Sequence, residues 1–169
     1  MKKTNLHKLL FSALFLSVGI VLPLFTSQIK EIGDTLLPMH LPVMLCGLIC
    51  SYKYGFAVGL ILPFVRSLIF SMPPMYPNAV WMALELATYG LVIGLVYKYT
   101  FKKYLSLIIA MIAGRVVWGI AKAVLLSISD KAFGVAAFVT GGFIDAMPGI
   151  ILQLILIPLI MRAYERSKK

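Results

Sequence analysis

Six apolar runs, each closed by a short polar or proline-bearing turn, leave this chain little choice of solvent. They cover residues 9–27, 36–50, 55–71, 79–97, 105–128 and 135–161. A helix rises about 1.5 Å per residue, so a hydrocarbon core of about 30 Å takes roughly 20 apolar residues to cross. The expected fold is an all-α integral membrane protein. It is a single domain over residues 1–169, a six-transmembrane-helix bundle with both termini cytoplasmic. The second run, about 15 residues long, is borderline between a full span and a re-entrant segment. An apolar content of 61% agrees with a membrane solvent.

The net charge of +10 would suit nucleic acid if the basic residues formed a patch. They sit instead at the ends of apolar runs, which is how charge sets membrane orientation. With the N-terminus inside, the inner segments hold Lys2, Lys3, Lys8, Lys53, the lysines of 98–103 and the basic residues of 162–169. The outer loops hold only Lys30 and Lys131. This asymmetry argues against a nucleic-acid partner and favours the short second run as a true span. The basic start MKKTNLHK resembles a signal peptide, but no small-residue cleavage site follows, so residues 9–27 are expected to be the first span.

Five charges fall inside the runs: Arg66, Glu85, Arg115, Lys122 and Asp145. Placing one in a bilayer costs about 2.5 kcal/mol or more, so each is expected to have a partner or a task. Counting from the outer helix ends puts Arg66, Glu85 and Asp145 each roughly 10 Å in. Arg115, Trp118 and Lys122 follow i, i+3, i+7 spacing, one face of one helix. Trp81, Glu85 and Thr88, spaced i, i+4, i+7, likewise share one helix face, with Tyr89 beside them. Two faces that pair a charge with an aromatic suit a small ligand with a flat ring and a polar group. The plainer reading is mutual ion pairing among the five. Three cations against two anions leave one positive charge over, which favours a partly anionic ligand.

Between Arg66 and Glu85 lies RSLIFSMPPMYPNAVWMALE, a hinge with three prolines, Tyr76 and Asn78. Asn78 suits the N-cap of the fourth run. Pro73 to Pro77 reads either as a rigid connector or as a lid. His40 is the only histidine outside the basic N-terminus and is expected to line the outer loop or cap a helix. It has no acid or cysteine at ligand spacing, so no metal site is expected. Cys46 and Cys50, a turn apart among small residues, read as packing positions. The Gly-xxx-Gly pairs at 55/59 and 90/94, and the small pair Ala13 and Ser17, let helices approach closely.

Several classes lack their motif. There is no P-loop for ATP, no internal three-and-three repeat of a self-sufficient transporter, and no long polar pore-lining helix. Two further classes stay open on the residues alone. One is an intramembrane enzyme acting on an anionic lipid or metabolite through Glu85 or Asp145. The other is a small membrane scaffold.

The stretches LPMHLPVMLCGLICSYKYG, PFVRSLIFSMPPMYPNAVWMALELATYG and GRVVWG, with six short spans in under 200 residues, resemble the substrate-binding S component of energy-coupling factor (ECF) vitamin transporters. The resemblance covers essentially the whole chain. It implies a non-enzymatic subunit without a cofactor. Such a subunit binds a vitamin or precursor from outside and docks on a membrane coupling subunit joined to two cytoplasmic ATPases. It then topples in the bacterial cell membrane to release its substrate. The family docks through Ala-xxx-Ala on the first span, where this chain has Ala13-xxx-Ser17. By position, the resemblance implies substrate contacts from His40, Arg66, Tyr76, Asn78, Trp81, Glu85, Arg115, Trp118, Lys122 and Asp145. A mixed-charge aromatic pocket suits a vitamin B6 form, then pantothenate, with cobalamin-type and queuosine-type precursors also open.

Overall fold

The computed structural model describes residues 3–26, 37–128 and 134–167. The outer-loop residues Lys30 and Lys131, the inner Lys2, Lys168 and Lys169, and the first residue of the second run lie outside these. The described residues form helices joined by turns: α1 (Lys3–Thr26), α2 (His40–Ile49), α3 (Tyr52–Phe70), α4 (Val80–Thr100), α5 (Lys103–Ser127), α6 (Val135–Val139) and α7 (Met147–Ser167). A wide turn, Met75–Ala79, feeds α4, and a second, Thr140–Ile144, follows α6. Among the described residues, five helices are long and apolar enough to cross a bilayer: Asn5–Thr26, Tyr52–Phe70, Met75–Thr100, Lys103–Ser127 and Met147–Ser167. The chain is an all-α, multi-pass membrane protein.

Two runs depart from the expected spans. The second forms only the ten-residue α2, about 15 Å long, or half a bilayer core. The sixth is not continuous over 135–161: α6 and its wide turn end at Ile144, and α7 starts at Met147. Gly141 and Gly142 are poor helix formers, and Pro148 disfavours helical backbone in the residue before it. Together they divide the run.

Backbone contact between α2, α3 and α4 builds the centre. A Cβ at Gly47 would lie 2.5 Å from the Gly90 carbonyl oxygen, and one at Gly55 would lie 2.7 Å from that same oxygen. Gly59 packs on the carbonyl of Leu86. So α3 and α4 run antiparallel with Gly55 opposite Gly90 and Gly59 opposite Leu86. Small residues permit this approach, and in lipid close packing is what holds helices together. Around the seam sits the core of Val43, Met44, Leu62, Leu86, Tyr89, Ile93, Leu107 and Ile157. Ser71 and Phe101, at φ 57° and 56°, stop α3 and α4 with left-handed backbone.

The bundle has two distinct ends. At one, Phe11 of α1 meets Tyr164 of α7 at 6.3 Å between ring centroids. Lys98 lies 5.7 Å from the Tyr52 ring, and Lys103 pairs with Glu165, which also accepts from the Tyr97 hydroxyl at 3.2 Å. At the other end is the proline turn between α3 and α4. Outward faces are apolar, as Leu10, Leu14, Ile112, Val116, Ile151 and Ile155 show by their exposure. That pattern is expected when the surrounding solvent is hydrocarbon.

Candidate functional site

The pairing of α4 with α5 sets the site. Gly114 lies against the ring of Tyr89, and Lys122, eight residues on, lies 5.5 Å from the ring centroid of Trp81, eight residues back. This antiparallel register brings the two charge-and-aromatic faces together. The result is a series of layers leading toward the proline turn.

Tyr89 forms the deepest layer, almost fully buried and close to both Glu85 and Arg115. Its ring meets the His40 imidazole edge-on at 5.0 Å. Next comes Glu85, 2% exposed, with one carboxylate oxygen at the centre of an ionic group. Arg115 donates to that oxygen through Nη1 at 3.0 Å, and His40 Nε2 faces it at 3.3 Å. Arg115 and His40 are 4% and 3% exposed. The ion pair therefore sits away from water, where Coulomb attraction is strong and the cost of removing one partner is large.

Above this lie the indoles. The Arg115 guanidinium is 5.9 Å from the Trp118 ring centroid, and the Lys122 ammonium is 4.7 Å from it. Trp81 and Trp118 share a small cluster with Ala121 and the flanking Phe138. Lys122 is thus held between two indole faces, each a favourable seat for a cation.

Nearest the turn is Arg66, buried in α3, whose Nε donates to the Met72 carbonyl at 3.2 Å. It ties the end of α3 to the proline turn. Tyr76 lies in that turn and is 55% exposed, while Asn78 is half-buried. Asn78 does not cap the fourth run as expected. The residue before α4 is Ala79, with no side-chain cap, and its N–H closes the turn on the Pro74 carbonyl at 3.0 Å.

Of the ten residues named from sequence, the structure gathers His40, Trp81, Glu85, Arg115, Trp118 and Lys122. Arg66, Tyr76 and Asn78 lie at the proline turn. His40 does not line a loop: it heads α2, and because α2 is short, that start falls inside the bundle. Asp145 does not join the ionic group around Glu85. The break in the sixth run puts it at a kink, exposed, with no ion pair among the described residues. Thr88, on the same face as Glu85, turns its hydroxyl back to the Leu84 carbonyl.

The sequence reading missed Gln153. It is 2% exposed, and its Nε2 has no hydrogen-bond partner among the described residues. Lys103 meets Glu165 where α5 begins and α7 ends. Twelve residues on from Lys103 is Arg115, and twelve back from Glu165 is Gln153. Leu107, Met111, Ile157 and Met161 fill the core between at the matching steps. Gln153 therefore falls level with Arg115. A lone glutamine in an apolar helix was the available signal.

The family model for the substrate-specific component of ECF transporters matches residues 7–161. Comparison with curated proteins and with solved structures gave no match. Members of this family are membrane subunits that bind a small molecule and work with the transmembrane and ATPase subunits of an ECF importer. With nearly its whole length matched, the chain belongs to the family of ECF-transporter substrate-specific components.

Proposed function

We propose that this subunit captures a small vitamin or cofactor precursor, one with a flat or apolar body and a polar or anionic group, on the outer side of a bacterial cell membrane. The proline-turn end is the outer end, and Pro73 to Pro77 form the mouth. Release inside follows when the subunit, docked on its coupling subunit and two ATPases, topples in the bilayer. The observation that carries this reading is the buried Glu85–Arg115–His40 group beneath the Trp81–Lys122–Trp118 stack. Charges so placed are costly unless a partner uses them. In this reading Arg66, Tyr76 and Asn78 guard the entrance. The first probes are vitamin B6 forms and pantothenate.

Native mass spectrometry of the gently purified protein tests the reading. A stoichiometric co-purified small molecule of vitamin mass is the expected result. A folded protein that carries none, and shows no thermal shift with any member of a vitamin panel, would remove the reading.

Docking is assigned to α1. Ala13 and Ser17 are exposed on it, with Leu10, Leu14 and Val21 also outward. Ala13→Leu is expected to leave vitamin binding by the isolated subunit unchanged while cutting uptake by the assembled transporter to background. Undiminished uptake in vesicles would move the docking face elsewhere.

A further inference from the structure

The guanidinium of Arg115 is used on one side only. Nη1 donates to Glu85, while Nε and Nη2 are both buried and make no hydrogen bond among the described residues. Those two nitrogens form one edge of the planar group, with parallel N–H bonds spaced to fit the two oxygens of a carboxylate or phosphate. A buried donor left unmade is costly, so two on one edge of one side chain ask for an explanation. Among the described residues, His40 Nδ1 is likewise buried without a hydrogen-bond partner, and so is Gln153 Nε2 at the same level. The unused polar groups of this layer thus come from three different helices.

We infer, resting on the transport reading above, that the substrate is a carboxylate monoanion whose two oxygens seat on the Nε/Nη2 edge of Arg115. Glu85 is then a positioning residue: by holding Nη1, it fixes the plane of the guanidinium and turns the other edge to the ligand. The two-donor edge selects carboxylate over phosphate. A carboxylate seats both of its oxygens on this edge, whereas the further oxygens of a phosphate would each need another donor in a desolvated site. The Trp81–Lys122–Trp118 stack takes the body of the ligand. Among the first probes, this places pantothenate ahead of the vitamin B6 alcohol, reversing the order that ring chemistry alone suggests.

The test uses the purified full-length subunit in nanodiscs and acid-and-neutral pairs that differ only in the carboxylate: pantothenate against panthenol, nicotinate against nicotinamide, biotin against biotinamide. Titration calorimetry should find one acid that binds saturably and whose neutral partner binds on the order of 100-fold more weakly. Arg115→Lys, which keeps the charge and removes the edge, should lose a similar factor. If an acid and its neutral partner bind alike, or Arg115→Lys retains full affinity, the carboxylate assignment is overturned. Binding of pyridoxine, thiamine or riboflavin with no acid bound overturns it too, while the transport reading stands. Should no vitamin of either kind bind, the transport reading falls and the assignment with it. The analogue pairs need no variant, so the outcome does not depend on Arg115→Lys folding.

Discussion

Arg115→Met will lower the thermal midpoint of the solubilised protein by roughly 10 °C, the shift expected for about 3–5 kcal/mol in a chain of this size. The cause is not the lost side chain itself but the carboxylate it leaves behind. Glu85 is almost wholly buried, and Arg115 is its hydrogen-bonded partner. His40 and Tyr89 remain beside it, but neither carries a fixed positive charge. Adding Glu85→Gln to Arg115→Met removes the stranded charge, so the double variant should recover most of the midpoint. It should not recover ligand binding. The pattern separates two roles, since stability follows the balance of the pair and binding follows the guanidinium. An unchanged midpoint in the single variant would mean that α4 and α5 are not held through this pair.

Gly90→Ala should be as damaging as the loss of the ion pair, although it adds one methyl group. A Cβ at Gly90 points at the carbonyl oxygen and α-carbon of Gly55. These are backbone atoms, so no rotamer change makes room, and the two helices must part. Overpacking of a well-packed site costs about 1–3 kcal/mol, and here the parting also opens the seams at Gly47 and Gly59. The expected result is poor accumulation and a broad, early melting transition. Gly134→Ala is the matched control, since a Cβ there meets nothing within 4 Å. Similar midpoints for the two variants would disprove the close backbone approach.

Both predictions depend on how α3, α4 and α5 are set against one another. The glycine seam sets the depth of α3 against α4. The Tyr89–Gly114 contact sets α5 against α4. Glu85 and Arg115 meet because those two registers agree.

Much of this was legible in the residues alone. Apolar runs near bilayer length dictate helices in lipid, because length and polarity are local properties. The i, i+3, i+7 spacing put Arg115, Trp118 and Lys122 on one face, and the i, i+4 spacing put Trp81 and Glu85 on another, since helical geometry repeats every turn. What only the tertiary structure decided were the relations between helices. The shortness of α2 carries His40 into the interior. The glycine and proline break leaves Asp145 exposed at a kink, and the α5–α7 register brings Gln153 to the level of Arg115. Which edge of Arg115 remains unused was likewise not in the sequence. Each of these follows from backbone contacts between residues far apart in the chain, and one helix's periodicity carries no information about its register against another.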